Sequence, residues 1–228
     1  MLVTRPAGPD DALVAALRER GFRVHAVPTV TTAPIPIEVS ALEGYDWIVV
    51  TSATGVAALP ALPGQAHWAA VGAATAAALA ERGVTASVLP EQANGSSLAE
   101  AIPEPQGKRI LLARAEIAAA DLPGRLRERG AEVVELAVYR TLEGPDSSRA
   151  SLADALTDPE LGAGVFASAS AVRGYVALGG RTDLPAVTIG PRTTGAAVGV
   201  GMRVLGEARE QSAAALAAAV AAALPLEV

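Results

Sequence analysis

A chain of 228 residues that is 51% hydrophobic and 18% charged holds enough apolar material for one large or two small ordered domains, and its composition is not that of a disordered protein. Aromatic residues at 3% and a net charge of −6 argue against a base-stacking surface or a basic groove tracking phosphates, so no nucleic-acid partner is expected. The absence of cysteine excludes disulfides, thiolate metal sites and a cysteine nucleophile, and fits a cytoplasmic location.

The opening Met1-Leu2-Val3-Thr4-Arg5-Pro6 has no basic segment leading into a long apolar run, so no signal peptide is expected. Apolar residues predict a short strand over 2–4. A helix follows over 10–20, with Leu13, Val14 and Leu17 on one face and Asp10 at its start. Gly21 stops it in the left-handed position, and a strand resumes over 24–27. Residues 29–37, with Pro34 and Pro36, read as an extended stretch. Trp47-Ile48-Val49-Val50 is an apolar run of the kind that a parallel strand covered on both faces requires. Thr51 and Ser52 then open a helix reaching 59, a strand spans 69–71, and Gly72 turns into a helix over 75–82 that Gly83 ends. A strand over 86–89 and a helix capped at Ser96 or Ser97 and running to 102 complete this half.

The pattern then returns: strand 109–113, helix 119–129, stop at Gly130, strand 133–138. Beyond it come strand 164–167, helix 170–178, strand 186–189, helix 193–199, strand 203–205 and a final helix over 211–224. The alanine run within that last helix is broken by Pro225 and is shorter than the ~20 residues a bilayer helix needs, so no membrane partner is expected.

Several motifs occur twice. Leu17-Arg18-Glu19-Arg20-Gly21 recurs as 126–130, a shift of 109 (126 − 17). Ser52-Ala53-Thr54-Gly55-Val56 is echoed by Ser168-Ala169-Ser170-Ala171-Val172, a shift of 116 (168 − 52). Gly72-x-x-Thr75 is echoed by Gly190-x-x-Thr193, and Gly83 by Gly201, shifted by 118 (190 − 72). The fold class is therefore α/β: two similar doubly wound parallel-sheet domains, flavodoxin- or Rossmann-like, joined by a two-stranded β linker. The short connection Pro103-Glu104-Pro105-Gln106-Gly107 keeps the middle of the chain in one domain. The expected division is 1–33 plus 142–228 in one domain and 37–138 in the other, with linkers at about 29–37 and 135–143.

Ligands of parallel sheets bind beyond the carboxyl ends of the strands, at helix N-termini. Thr51, Ser52, Thr54 and Thr75 in one copy, and Ser168, Ser170 and Thr193 in the other, each follow a strand and precede or open a helix. They suit an anion site; singly, each also reads as an ordinary helix cap. Arg5 and Arg114 are repeat partners (114 − 5 = 109) at strand ends, where a guanidinium either clamps a carboxylate or forms a surface ion pair. Tyr139, in Val138-Tyr139-Arg140-Thr141, lies in the second linker and has no tyrosine twin, Val30 standing 109 residues before it. Its phenol is a candidate proton donor, or a half-buried strand residue. No G-x-G-x-x-G or G-x-x-x-x-G-K-[ST] loop occurs, and His25 and His67 are isolated, so neither a nucleotide cofactor nor a metal is expected. Asp10, Asp11, Glu19 and Glu128 read as helix-start or solvated charges.

Together these residues resemble the uroporphyrinogen-III synthase family. The carriers are Val3-Thr4-Arg5-Pro6, Asp46 to Ser52 with Gly55-Val56, Ala70-Val71-Gly72 with Thr75, and Arg114-Ala115-Glu116 followed by Gly130 and Tyr139-x-Thr141. Phe166 to Val172 and Ile189-Gly190-Pro191-Arg192-Thr193 complete the series. The resemblance implies two α/β domains, one built from both chain ends, with the active site between them. It implies a lyase that takes linear hydroxymethylbilane, expels its hydroxyl as water, inverts the last pyrrole ring and closes the macrocycle without a metal or organic cofactor. Tyr139 matches the family's proposed proton donor; Ser52, Thr75, Ser168 and Thr193 match positions thought to hold substrate carboxylates. Thr54 stands where the family often has Asn, and Ala167 where it often has Thr or Ser. A monomer is expected. Two other classes fit the residues less fully: a non-catalytic binder of an anionic metabolite, and a nucleotide-sugar transferase. Against the latter, no carboxylate–arginine–lysine cluster lies near the last turns.

Overall fold

The computed structural model describes residues 1–5 and 11–225. In chain order the first elements are β1 (Leu2–Val3), α1 (Ala12–Glu19), β2 (His25–Ala26), β3 (Val30–Pro34), β4 (Trp47–Val50), α2 (Ala53–Ala58), β5 (His67–Ala70), α3 (Ala73–Glu81) and α4 (Gly95–Ala101). They are followed by β6 (Arg109–Ala115), α5 (Asp121–Glu128), β7 (Glu132–Glu143), α6 (Arg149–Ala155), β8 (Gly164–Phe166) and α7 (Ala169–Ala177). The chain ends with β9 (Ala186–Thr188), α8 (Pro191–Gly199), β10 (Val204–Glu207) and α9 (Ala213–Ala223). Contacts divide it into one unit of Met1–Thr31 with Leu142–Val228 and another of Thr32–Thr141; the divisions fall inside β3 and β7.

The first unit carries a five-stranded sheet in the order β10-β9-β8-β1-β2, with every neighbouring pair parallel. Counted along the unit's own strands this is the doubly wound order 2-1-3-4-5, whose switch point lies between β1 and β8. One face packs Leu2, Phe166 and Tyr175 with Leu152 and Leu184; the other packs Val3, Val165 and Val187 under α1 and α9 through Leu13, Leu17, Leu216 and Val220.

The second unit orders its sheet β3-β7-β6-β4-β5, and β7–β6, β6–β4 and β4–β5 are all parallel. A lone parallel bridge from Ala69 to Val88 extends the β5 edge. From β7 outward the arrangement repeats that of the first unit, except that the chain enters at β4, and its switch point lies between β6 and β4. All four residues of β4 are buried, as strands covered on both faces must be.

The local signals act as their chemistry requires. Asp11 caps α1, its Oδ1 accepting from the N–H groups of Leu13 at 2.9 Å and Val14 at 3.1 Å. Gly21 and Gly130, both at φ 85°, end the two repeat helices in the left-handed region. The expected start of α1 at Asp10 lies outside the described residues. Other boundaries are corrected. Helix α4 is capped by Asn94, whose Oδ1 accepts from Ser97 N–H at 2.8 Å, not by Ser96 or Ser97. The expected strand at 86–89 is reduced to the Val88 bridge. Helix α7 begins at Ala169 with Ser168 as its cap, α6 has no counterpart in the sequence reading, and β7 runs on to Glu143. No described helix is long and apolar enough to cross a membrane.

At the amino ends of the first sheet, Asp158 ties β2 to the turn after α6. Its Oδ2 lies 2.8 Å from His25 Nε2, its Oδ1 accepts from Glu160 N–H at 3.0 Å, and Arg23 donates to both oxygens at 2.6 and 2.7 Å. The His25 contact first, then the Glu160 amide, holds the carboxyl down from 3.8 to about 2. The folded state therefore prefers the carboxylate more than the unfolded chain does. This stabilisation is complete above about pH 4 and disappears as pH falls through about 2. The stability difference between the wild type and Asp158→Asn, measured by urea titration, is expected to shrink across that window; a difference independent of pH would contradict the assignment.

Candidate active site

The carboxyl ends of the parallel strands converge on helix N-termini whose free N–H groups favour anions. In the second unit, β4 delivers the chain through Thr51 and Ser52 into α2. Ser52 is extended at φ −156° and its Oγ accepts from Gly55 N–H at 3.0 Å, the ordinary capping role. The same Oγ lies 3.1 Å from the Tyr139 hydroxyl, 87 residues away in the chain.

A register change delivers Tyr139 to that point. Along β6 and β7, Arg114 pairs with Ala137 but Ala115 pairs with Tyr139, so Val138 is the extra residue of a bulge. Strict alternation would send Val138 and Tyr139 to opposite faces. Instead both pack with Val134 and Leu136 against the cluster containing Ile48, Val50 and Val56. The hydroxyl thereby reaches from beside the last residue of β6 to Ser52, the second residue after β4, across the unit's switch point. Gly55 lies alongside: a Cβ there would stand 3.3 Å from Ser52 Oγ, a tight contact, and 3.7 Å from the tyrosine ring, an ordinary one.

The other expected residues are distributed over both units. Thr51 is half-buried and Thr54 exposed at the start of α2. Thr75 is buried (4% exposed) in the first turn of α3, and its repeat partner Thr193 (3%) in the first turn of α8. Among the described residues, none of these four hydroxyls has a hydrogen-bond partner. In the first unit Ser168 caps α7, accepting from Ala171 N–H at 3.1 Å, and its Oγ lies 2.9 Å from Ser170 Oγ. Ser52 and Ser168 are therefore matched caps whose second partners differ.

Neither arginine stands free as a carboxylate clamp: Arg5 forms a surface ion pair, the other reading, whereas the pair that Arg114 forms is buried on the arginine side. Arg5 Nε lies 3.1 Å from Asp11 Oδ2, the carboxylate that caps α1. Arg114 is turned inward and only 6% exposed. It pairs with Glu135 Oε2 at 3.1 Å and donates to the Ala119 carbonyl, while its buried Nε has no partner among the described residues. The strand-end position was visible in the sequence, but the partners were not, because Glu135 sits on the neighbouring strand.

Sequence reasoning also missed a hydroxyl chain in the first unit. Thr188 Oγ1 lies 2.6 Å from Thr194 Oγ1, and Thr194 donates to the Glu207 carboxylate, fastening the first turn of α8 to β9 and β10. Among the described residues, no three His, Asp or Glu side chains gather as metal ligands.

The family model described as uroporphyrinogen-III synthase HemD matches residues 11–218. The uroporphyrinogen-III synthase of Synechococcus elongatus is 29% identical over 237 residues, covering 92% of this chain and 89% of that protein. Two crystal structures show the same fold. A mutant uroporphyrinogen III synthase from Thermus thermophilus aligns with TM-score 0.58 and 24% identity over 99% of both chains. Uroporphyrinogen-III synthetase from Helicobacter pylori aligns with TM-score 0.66 and 16% identity over 94% of both.

The capping geometry makes a direct expectation. Ser52→Ala and Ser168→Ala each remove the acceptor for a first-turn N–H group and are expected to lower the unfolding free energy by about 1 kcal/mol. Urea titrations of both variants check this, and wild-type midpoints would contradict it.

Proposed function

We propose, for a chain that belongs to the uroporphyrinogen-III synthase HemD family, that Tyr139 supplies the proton for the reaction and the strand-end hydroxyls hold the substrate. The chain is an enzyme, a lyase that cyclises hydroxymethylbilane to uroporphyrinogen III with inversion of ring D and loss of water. Departure of the substrate's hydroxyl group requires a proton, because hydroxide is a poor leaving group. Tyr139 has the O–H donor, and its link to Ser52 carries this reading.

Ser52 Oγ already accepts from Gly55 N–H, so its own hydrogen is available to point at the phenolic oxygen 3.1 Å away. In that arrangement the Tyr139 proton is directed to the substrate. As it transfers, the C–O bond breaks, water leaves, and the negative charge developing on the phenol is met by the Ser52 hydroxyl. The resulting azafulvene cation is stabilised by the neighbouring pyrroles. Attack by ring D through the spiro route closes the ring, and the proton released as the pyrrole is restored returns to the phenolate. The protein's remaining task is to hold the chain so that this attack outruns direct closure.

The substrate carries eight carboxylates. Thr51, Thr54 and Thr75 in one unit, with Ser170 and Thr193 in the other, have hydroxyls at helix starts that suit carboxylate oxygens. Ser52 and Ser168 fix the helix starts themselves. In this proposal Arg5 and Arg114 add positive charge beside those groups while remaining paired to Asp11 and Glu135. At a net charge of −6 the whole molecule repels such a substrate. Binding then depends on local donors.

Tyr139→Phe is expected to lower turnover by about 100-fold or more while leaving the thermal midpoint near that of the wild type, since the ring and its packing remain. The check is incubation with hydroxymethylbilane and separation of the oxidised products. A wild-type rate of type III formation by the variant would show that water or the substrate provides the proton.

A further inference from the structure

The segment between β6 and α5, Glu116-Ile117-Ala118-Ala119-Ala120, is exposed along its whole length. It leaves the sheet at the carboxyl end of β6, one of the two strands that flank the switch point. Ile117 is 90% exposed, whereas the other large exposed apolar residues range from 40% to 60%. A single exposed isoleucine in a free loop would call for no explanation.

This loop is not free. On one side of Ile117, the Glu116 N–H donates to the carbonyl of Tyr139 at 2.9 Å. On the other, the Ala119 carbonyl accepts from buried Arg114, which is braced by Glu135 at 3.1 Å, and Glu135 in turn pairs with Arg127 at 3.0 Å. Both attachments hold the backbone, so the isoleucine is kept in water instead of folding back onto the core. The first attachment places it one residue from an amide bound to Tyr139 itself.

We propose that Ile117 is a substrate-positioning residue, the apolar seat for the pyrrole ring that carries the hydroxymethyl group. The proposal rests on the reading of Tyr139 as the proton donor. The polar groups that meet Tyr139, the Ser52 hydroxyl and the Glu116 amide, are donors that suit carboxylates, while the apolar side chains beside its ring, Val134, Leu136 and Val138, are already packed into the core with it. Aromatic residues make up only 3% of the chain, so an aliphatic side chain has to take the place of a stacking partner. Covering that ring also removes water from the carbon that becomes cationic when the hydroxyl leaves. Arg114 then acts through the Ala119 carbonyl, holding the loop in place, and needs no contact with substrate.

The test compares wild type, Ile117→Leu and Ile117→Ser in steady-state turnover of hydroxymethylbilane, with separation of type III and type I products and a thermal midpoint for each. Ile117→Ser is expected to raise KM by about tenfold, an amount matching loss of part of one buried aliphatic side chain. It should also raise the share of type I product and leave the midpoint within about 2 °C of wild type. Ile117→Leu should retain wild-type KM and product ratio. A wild-type KM and product ratio in Ile117→Ser, beside a wild type that makes the type III isomer, would overturn the role of Ile117 alone. A wild type that yields only type I would overturn the assigned reaction and this proposal with it.

Discussion

Parallel strands cannot be joined by tight turns; each must pass the chain to a crossover before the next begins, and the crossover helix starts where the strand has just ended. In both sheets of this protein every hydrogen-bonded pair flanking the switch point is parallel. The carboxyl ends of these parallel strands therefore open on the same edge of their sheet, and the helix-opening residues that follow them line one polar rim. Ser52 and Ser168 are where they are because a parallel strand has just finished and the first N–H groups of a helix need an acceptor. A rim of N–H groups that favours anions is in this sense a by-product of the topology, and the Ser and Thr residues there add hydroxyl donors to it.

The topology does not by itself bring a phenol to that rim. A regular strand would continue its alternation, and Tyr139 would not share a face with Val138. The extra residue in β7 breaks the alternation once, at the last register position with β6. Bulges are found beside sites because they re-aim a side chain at the cost of one ladder position. Here the re-aimed ring crosses the end of β6, runs beside Gly55 and meets Ser52. The first unit has the matched cap but no tyrosine hydroxyl against it: Ser168 meets Ser170 instead. The repeated arrangement thus accounts for two rims and for their capping serines, while the proposed chemistry uses the copy in which the strand is irregular.

Much of this was legible in the residues. Runs such as Trp47-Ile48-Val49-Val50 and the paired Gly21 and Gly130 mark strands and helix stops because burial and left-handed backbone leave few alternatives. The hydroxyls at strand ends were visible for the same reason, since their position in a strand–helix junction is a local fact. What stayed hidden depended on partners distant in sequence. The inward turn of Arg114 needs Glu135 and Ala119, the cap of α4 needs Asn94 one residue before a glycine that packs on Asp121, and α6 has only a short apolar pattern. The Val138 bulge is set by strand pairing, and no residue type announces it. The tyrosine was singled out for having no twin, but nothing in the chain pointed to Ser52 as its partner.

In the proposed mechanism Tyr139 and Ser52 act as one unit, the serine hydroxyl stabilising the phenol as it gives up its proton. A double-mutant cycle on kcat, using Tyr139→Phe, Ser52→Ala and the combination, tests this directly. If the two groups work together, Ser52→Ala slows turnover in the wild-type background but costs little further once the phenol is gone, so the combined loss falls well short of the sum in free energy. Losses that simply add would contradict the account and leave Ser52 as a helix cap and nothing more.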